Sequence, residues 1–308
     1  MTVVVVANPT AGRGKAGALI GRAVAELHAL GIDHRVRVSE SAADLEALAR
    51  SAAEEGAEIV AVLGGDGSVG AAANGLAKGM AKGRGGTGTA LAVLPAGTGD
   101  DFAKAVGPSK LEAAVRLLAV PDIREVDLLR VTAGAQERYV INIAGAGFDS
   151  EVNETANAMT LRLGGTGTYI AAVVTTLRRF VPASYALEVD GERMGTDAML
   201  VAVGNSRSYG GGMKVLPDAR IDDGLLDVCI VHKLSTSAFL RAFPRVFRGT
   251  HVGHPKVTML RGRRVTAEAN RRIQVYGDGE RIGSLPAIFE IVPAALRLVV
   301  GPGARVVA

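Results

Sequence analysis

EIVAVLGGDGSVGAAANGLAK, residues 58–78, determines the fold class of this chain. Its apolar run 58–63 predicts a buried strand, and its alanine-rich run 68–78 predicts a helix. Between them, the glycines of LGGDGSVG (residues 63–70) permit a tight turn and a close approach of the backbone to a ligand. A strand that turns directly into a helix is the repeating unit of parallel α/β sheets.

The same alternation continues on both sides of this segment. A continuous apolar strand is predicted at 3–7, followed by apolar residues at helical spacing. A second strand at 34–38 precedes a helix whose start is marked by the capping-box pair Ser41 and Asp44, and a fourth strand follows at 90–94. The pattern therefore predicts an N-terminal three-layer α/β domain with a parallel sheet.

The character of the sequence changes after Arg124. Helical periods become scarce, and short β-rich runs separated by Gly, Asp and Arg turns predict a mainly antiparallel β-sandwich. A chain of 308 residues also exceeds the usual size of one domain. We therefore expect a first domain over 1–125, a second over 126–289, and a segment over 290–308 that packs back on the first.

Composition excludes several classes of protein. The single cysteine, Cys229, rules out an internal disulfide framework and a thiolate metal cluster, and its apolar surroundings predict a core position. The five histidines show no metal-ligand spacing. No apolar run reaches the roughly 20 residues that span a bilayer, and the N-terminal strand lacks the basic flank of a signal peptide. We expect a cytoplasmic protein whose net charge of +4 favours contact with phosphates or an anionic leaflet.

Three glycine turns carry the chemistry of the first domain. They are NPTAGRGK at 8–15, LGGDGSVG at 63–70 and LPAGTGDDFA at 94–103, and each lies between a predicted strand and a helix. Backbone N–H groups at such turns, together with a helix N-terminus, bind phosphate. In a parallel sheet the carboxyl ends of the strands meet at one edge. The three turns together predict a nucleotide-phosphate site, although the first lacks P-loop spacing.

Asp66 is the most informative residue of the central turn. A carboxylate beside a phosphate site repels the ligand unless a cation lies between them, so the sequence predicts that Asp66 meets phosphate-bound Mg²⁺ directly or through water. The alternative is that Asp66 caps a helix, since Asp is a common N-cap residue.

Two Asp-Gly motifs stand out in the second domain. In PDARIDDGLLDV, residues 217–228, Asp223 and neighbouring carbonyls could bind Mg²⁺ or Ca²⁺, but a β-turn explains the same spacing equally well. In GDGE, residues 277–280, spacing alone favours a hairpin turn. A proton-accepting carboxylate is the alternative for this motif.

Taken in order, six motifs resemble one family. NPTAGRGK, GGDG, PAGTGDDFA, GNSRSYGGG, PDARIDDGLLDV and GDGE together look like the bacterial diacylglycerol kinase-like lipid kinases, which are akin to sphingosine and ceramide kinases. The resemblance extends over nearly the whole chain. It implies a phosphofructokinase- and NAD kinase-like first domain that binds ATP and a β-rich second domain that takes the lipid acceptor.

The resemblance also implies roles for individual residues. Asp66 would serve the catalytic Mg²⁺. Asp223, with the backbone carbonyls of Arg220 and Leu225, would hold a structural Mg²⁺. Glu280 matches the position of the proton acceptor, with Asp278 as a close competitor. The expected contacts to the ATP phosphates are Asn8, Pro9, Thr10, Ala11, Gly12, Gly64, Gly65, Asp66, Gly67, Ser68, Val69 and Gly70, with the hydroxyls of Ser39 and Thr98.

This sequence departs from the family pattern in its phosphate turns. The family usually has GGDGT followed shortly by Asn-Glu, where this chain has Ser68, Gly70 and Ala71. Asp100 replaces the common Asn of GTGND, which adds a negative charge that would demand closer metal pairing or weaken ATP binding. These departures keep a catalytically degenerate binding protein as one alternative. A phosphofructokinase and an NAD kinase, which share GGDG, are the others.

The expected acceptor is a diacylglycerol-like lipid at the inner face of the membrane. No spacing of residues in the sequence distinguishes this acceptor from sphingoid bases, ceramide or phosphatidylglycerol. We expect peripheral membrane contact through the helix near 169–180, where Arg178 and Arg179 would meet anionic headgroups. No nucleic-acid partner is expected, and the oligomeric state stays open, a homodimer included.

Overall fold

The computed structural model describes residues 1–81, 88–159, 165–302 and 304. The chain divides into two compact units, one of Met1–Leu128 with Pro293–Ala308 and the other of Leu129–Val292. The sequence placed these divisions at 125/126 and 289/290. In the structure both divisions fall within long strands, β5 (Asp122–Ala133) and β15 (Ala287–Val300).

Unit 1 is an α/β layer structure around a parallel sheet. Its strands lie in the order β15-β4-β3-β1-β2, and each registered pair is parallel, for example Val3 with Ile59 and Ile59 with Ala90. Besides parts of β5 and β15, its elements are β1 (Val3–Ala7), α1 (Lys15–Ala29), β2 (His34–Val38), α2 (Ala42–Glu54), β3 (Ile59–Gly64), α3 (Asp66–Ala81), β4 (Ala90–Pro95), α4 (Asp101–Val106) and α5 (Leu111–Arg116).

The sequence explains the layers of unit 1 directly. Every residue of β1 and β3 is buried, as expected for central parallel strands covered by helices on both faces. The predicted cap at Ser41 is confirmed, because its side chain accepts a hydrogen bond from the Asp44 N–H at 3.1 Å. Helix α3 begins at Asp66, two residues before the predicted start.

Unit 2 is built on antiparallel strands. They lie in the order β14-β13-β7-β9-β8-β12-β15, while β10 pairs with β9 and β11, and β5 pairs with β6. The elements are β6 (Gln136–Val140), β7 (Ile143–Gly147), α6 (Phe148–Ala158), α7 (Gly165–Leu177), β8 (Ala183–Val189), β9 (Glu192–Gly204), β10 (Leu226–His232), α8 (Thr236–Ala242), β11 (Val257–Gly262), β12 (Arg264–Ala269), β13 (Gln274–Gly277) and β14 (Glu280–Ser284), with 3-10 turns at Phe243–Arg248 and Thr250–Gly253.

Two apolar cores lie on opposite faces of the central strands of unit 2. Val201 and Val203 of β9 enter one core, whereas Leu200 and Ala202 enter the other, as the two-residue period of a strand requires. The second core is covered by α6, α7 and α8. Cys229 is fully buried there, which confirms its predicted core position.

Helix α6 was not predicted from the sequence. Its sequence FDSEVNETANA is mostly polar, and among the side chains of this helix whose burial is described, Phe148, Val152 and partly Ala156 enter the core, so the apolar period is too weak to detect. Helix α7 follows it and ends at Leu177, immediately before Arg178 and Arg179. Within the described ranges, none of the helices combines the length and the apolar character that crossing a membrane requires.

Candidate active site

The three glycine turns of unit 1 meet at one edge of the parallel sheet, as predicted. They follow β1, β3 and β4, which lie side by side in parallel register. The Asn8 side-chain amide donates to Ser68 Oγ at 3.2 Å, which joins the first turn to the second. The Ala96 N–H donates to the Gly64 carbonyl at 3.0 Å, which joins the third turn to the second.

Glycine is required where these turns touch. A Cβ atom added to Gly97 would lie 2.7 Å from Gly65 Cα and 2.5 Å from Asp100 Oδ1. A Cβ atom on Gly12 would lie 2.2 Å from the Ala96 carbonyl oxygen, and Gly12 also has a left-handed φ of 59°. Any side chain at these positions would push the turns apart, so the glycines set the shape of the edge.

Asp66 ties the second turn to the third. Its carboxylate accepts hydrogen bonds from the Phe102 N–H at 2.9 Å and the Asp101 N–H at 3.1 Å. These N–H groups lie in the first turn of α4. Asp66 therefore caps a helix, as the alternative prediction had it, but the capped helix is α4 and not α3, which begins at Asp66. Burial raises the pKa of Asp66, and the Phe102 N–H opposes that shift.

Negative charge accumulates around Asp66. Asp100, in a left-handed conformation with φ 50°, accepts a hydrogen bond from the Gly97 N–H at 2.8 Å. Burial raises the pKa of Asp100, and the neighbouring Asp66 carboxylate raises it further. Lys104, whose ammonium group donates to the Gly99 carbonyl at 2.5 Å, partly offsets both carboxylates.

This donor set suits a hard cation that arrives with a ligand. Across residues 1–81, 88–159, 165–302 and 304, no group of three or more His, Cys, Asp or Glu side chains is arranged to hold a metal ion. Mg²⁺ is usually bound by one or two carboxylates together with substrate phosphates. Asp66 and Asp100 therefore fit Mg²⁺ when phosphate oxygens supply the remaining ligands.

The predicted hydroxyl contacts lie in different environments. Thr98 is exposed on the third turn. Thr10 is also exposed, and its hydroxyl donates to Asn8 Oδ1 at 2.7 Å. Ser39 is only 2% exposed, and its hydroxyl donates to the Ala7 carbonyl at 3.1 Å. Phosphate contact stays a prediction for all three, and Ser39 would have to turn away from β1 to make it.

In unit 2, the GDGE motif forms a two-residue hairpin turn between β13 and β14. Asp278 and Gly279 have φ values of 51° and 82°, which is the geometry of an Asp-Gly hairpin turn. The Asp278 carboxylate accepts hydrogen bonds from the Ile141 N–H at 2.9 Å and the Asn142 N–H at 3.0 Å. Burial raises the pKa of Asp278 to about 6, although these N–H groups oppose the shift.

Glu280 lies at the start of β14 and differs from Asp278. Its side chain is half-buried, and it makes no side-chain hydrogen bond or ion pair with any described residue. Its neighbour Tyr276 has a raised pKa because of burial, to which the Glu154 and Glu280 carboxylates add. Asp278 therefore anchors the hairpin, while the Glu280 carboxylate is available to accept a proton.

The predicted metal loop contains a salt bridge. Asp223 accepts a hydrogen bond from the Leu225 N–H at 3.1 Å and pairs with Arg261. Arg261 also reaches Asp227 at 3.2 Å. Burial raises the pKa of Asp227 to about 6, Arg261 lowers it, and Asp223 and Asp218 raise it again.

One atom of this loop favours a cation. Asp227 Oδ2 is buried and has no hydrogen-bond partner, and a buried carboxylate oxygen in that state is normally paired. The Asp223 charge, however, is balanced by Arg261. Binding of Mg²⁺ by Asp223 with the Arg220 and Leu225 carbonyls therefore stays a prediction.

Unit 2 also contains an apolar cavity that sequence reasoning missed. The volume inside it that a water-sized molecule can reach is about 80 Å³, which is below the roughly 300–1,000 Å³ usual for ligand pockets. Phenylalanines and aliphatic side chains dominate its walls, and among them are Phe148, Val173, Leu200, Phe239, Phe243 and Val246. These residues come from five separate elements, so no spacing in the sequence marks the cavity.

Strand β7 connects this cavity to the GDGE hairpin. At one end, Asp278 holds the backbone just before β7, and Gly277 pairs with Ala144. At the other end, β7 runs into Phe148 and Asp149, which line the cavity. Five residues of strand span about 16 Å. Within unit 2, the candidate base and the cavity therefore lie roughly one strand length apart.

Three interlocked glycine turns, a carboxylate with no partner among the described residues and an apolar cavity are features that a kinase acting on a lipid would combine. Residues 2–131 match the family described as the diacylglycerol kinase catalytic domain. Residues 142–300 match the YegS C-terminal NAD kinase beta sandwich-like domain. The chain belongs to the diacylglycerol kinase-like lipid kinase family.

Individual relatives agree with this assignment. The chain is 37% identical over 300 residues to a diacylglycerol kinase of Mycobacterium tuberculosis (strain ATCC 25618 / H37Rv), covering 96% of this chain and 94% of that protein. It is 30% identical over 281 residues to a "Probable lipid kinase YegS-like" of Stenotrophomonas maltophilia (strain K279a), covering 90% and 89%. A solved diacylglycerol kinase structure from Bacillus anthracis str. Sterne shares the fold, with a TM-score of 0.74 at 20% identity and 98% coverage of both chains.

Proposed function

We propose that this lipid kinase transfers the γ-phosphate of ATP to the hydroxyl group of a diacylglycerol-like lipid. The observation that carries the choice of acceptor is the apolar cavity in the unit that bears Glu280. A wall of Phe, Leu and Val side chains stabilises an acyl chain by burying it, whereas fructose 6-phosphate or NAD would leave its polar groups unpaired there. Relatives named diacylglycerol kinase support the same acceptor.

In this proposal unit 1 binds the triphosphate. The backbone N–H groups of the first two turns and the N-terminus of α3 donate to the phosphate oxygens, while Gly12 and Gly97 keep side chains out of the way. Asp66 and Asp100 would hold Mg²⁺ together with those oxygens. The cation would neutralise charge on the transferred group. Asp66 also keeps α4 in place through its two hydrogen bonds.

The chemistry proposed for unit 2 is general-base catalysis. Glu280 accepts the proton of the lipid hydroxyl while the hydroxyl oxygen of the lipid forms a bond to the γ-phosphorus. The bond from that phosphorus to the β,γ-bridging oxygen breaks, and the electron pair leaves with ADP. Asp278 is a positioning residue, because its hydrogen bonds to Ile141 and Asn142 fix the turn that presents Glu280.

The lipid acceptor implies a membrane partner. Arg178 and Arg179 are exposed directly after α7, in the segment expected to meet anionic headgroups. We propose peripheral association with the membrane face that has access to ATP, which is the inner face.

The direct test is a transfer assay. The protein is incubated with γ-labelled ATP, Mg²⁺ and a panel of acceptors, namely dioctanoylglycerol, sphingosine, ceramide, phosphatidylglycerol, fructose 6-phosphate and NAD, and the products are analysed by mass spectrometry. We expect label in dioctanoylglycerol above every other acceptor. Transfer only to fructose 6-phosphate or NAD would refute a lipid acceptor, and no transfer at all would favour a binding protein.

A cavity-filling variant tests the role of the cavity separately. Ala242 lines the cavity from α8, so Ala242→Trp places a large side chain in the acyl-chain space. We expect the KM for long-chain diacylglycerol to rise about 10-fold or more, as loss of a few buried methylene groups predicts, with the KM for ATP unchanged. Ala238→Trp, on the same helix but outside the cavity lining, is the matched control.

A further inference from the structure

One stretch of the chain carries only positive charge. Residues 228–267 contain eight Lys and Arg residues and not a single Asp or Glu, where the average composition of the chain would place about four acidic residues. Such a segment has a one-sided electrostatic potential that attracts anionic surfaces. Helix α8 and the 3-10 turn after it lie in the middle of this stretch. We call residues 236–248 the α8 surface.

The arginines of the α8 surface are exposed and have no acidic partner. Arg241, Arg245 and Arg248 are all exposed, and none forms an ion pair with a residue that the structure describes. Other arginines of the same stretch are paired, since Arg261 meets Asp223 and Arg264 meets Glu290. The three unpaired guanidinium groups therefore do not contribute to internal ion pairs.

The opposite side of the same segment covers the apolar cavity. Phe239, Ala242, Phe243 and Val246 line the cavity, at spacings that place them on one helical face. The spacing of Arg241, Arg245 and Arg248 places them on the opposite, outer face of the segment. Leu240 lies between Phe239 and Arg241 and is 45% exposed. The segment is thus a thin wall with an apolar inner face and a cationic, partly apolar outer face.

The end of α7 adjoins this wall. The Phe148 ring makes edge contacts with Phe180 at 5.2 Å and with Phe239 at 4.9 Å between ring centroids. Val181, which follows Phe180, is 65% exposed. Arg178 and Arg179 precede it and are exposed as well. Cations and exposed aliphatic side chains therefore continue from the α8 surface onto the end of α7.

We infer that the α8 surface is a docking site for a bilayer that contains anionic phospholipids. A bilayer presents anionic headgroups above an apolar layer, so it pairs with the arginines and buries Leu240 at the same time. A nucleic acid would satisfy the arginines but would leave Leu240 in water. The inference rests on the proposed function, because a docked α8 surface places the cavity next to the membrane from which an acyl chain must enter.

The test is vesicle binding by the full chain. Co-sedimentation is measured with vesicles of phosphatidylglycerol and phosphatidylcholine and with vesicles of phosphatidylcholine alone. The triple variant Arg241→Gln/Arg245→Gln/Arg248→Gln should lose about 100-fold in partitioning to the anionic vesicles, since each basic residue contributes a factor of about 5 at such a surface. The triple variant Arg35→Gln/Arg50→Gln/Lys110→Gln has the same net charge, lies outside residues 228–267 and should lose less than about 5-fold.

A second readout separates docking from catalysis. With dioctanoylglycerol dispersed without vesicles, the α8 triple variant should have the same kcat and the same thermal unfolding as the wild type. Equal losses of vesicle binding in the two triple variants, or no loss in the α8 variant, would overturn the docking site. Binding of the wild type to an oligonucleotide but not to anionic vesicles would overturn it too. Failure of the wild type to phosphorylate dispersed dioctanoylglycerol would instead refute the proposed function and leave the vesicle result intact.

Discussion

Separate substitutions of the two acidic residues of the GDGE hairpin, Asp278 and Glu280, distinguish a structural role from a catalytic one. Asp278→Ala removes a buried carboxylate that accepts hydrogen bonds from Ile141 and Asn142. Each hydrogen bond to a charged acceptor contributes about 1.5–3 kcal/mol. Ala at a φ of 51° adds about 1 kcal/mol of strain relative to Asp. We expect Asp278→Ala to lower the free energy of unfolding of unit 2 by about 4 kcal/mol.

The same reasoning predicts a different outcome for Glu280. Its side chain makes no hydrogen bond with a described residue, so Glu280→Gln should leave stability unchanged to within about 0.5 kcal/mol. Removing a general base should lower kcat by about 10²–10⁴-fold. Asp278→Asn tolerates the left-handed backbone and keeps one acceptor oxygen, so it should lose about 2 kcal/mol and retain most of its kcat at a temperature where it is folded.

Thermal unfolding and steady-state kinetics with dioctanoylglycerol measure both quantities. A loss of 4 kcal/mol in a domain of this size corresponds to a fall in Tm of about 12 °C. The assignment of roles is refuted if Glu280→Gln keeps full kcat while Asp278→Asn, still folded, loses it. In that case Asp278 would be the base, and its hydrogen bonds from the Ile141 and Asn142 N–H groups would position the base itself.

Three further predictions concern the sheet edge where the glycine turns meet and the apolar cavity. Asp66→Ala should lower the free energy of unfolding of unit 1 by about 3 kcal/mol, because it removes the two hydrogen bonds to α4. Asp66→Asn should stay folded and have a kcat at least about 10-fold lower than the wild type. Chemical denaturation and labelled-ATP assays measure the two effects, and full activity in Asp66→Asn would exclude a metal role. Gly12→Ala should cost about 3 kcal/mol from its clash and left-handed φ, whereas Gly14→Ala, left-handed but with open space around it, should cost about 1 kcal/mol; equal melting temperatures for the two variants would contradict this. Burial raises the pKa of Asp149 to about 7, so the folded protein holds the Asp149 carboxyl proton more tightly than the unfolded chain does. The stability of the wild type relative to Asp149→Asn should therefore fall as pH rises from about 4 through 7. Unfolding curves of both proteins across that range would show or disprove this fall.

The sequence alone was sufficient for the parallel sheet and the three glycine turns. Strand, turn and helix follow one another within a few residues there. Continuous apolar runs such as VVVVA of β1 are typical of strands buried on both faces. Local patterns predict such elements because the interactions that form them are local. The hairpin at Asp278 and Gly279 was predictable for the same reason.

The roles of individual carboxylates were decided by tertiary structure. Asp66 is bonded to N–H groups 35 and 36 residues away, and Asp278 to N–H groups 137 and 136 residues away. A sequence motif identifies a carboxylate but does not reveal which distant donors will occupy its oxygens. The cavity is similar, since its walls come from elements between Phe148 and Val257 that meet only when the strands of unit 2 pair. Local periodicity thus determined the elements and the glycine turns at one edge of the sheet, whereas long-range pairing determined which carboxylates have partners and where the apolar cavity of unit 2 forms.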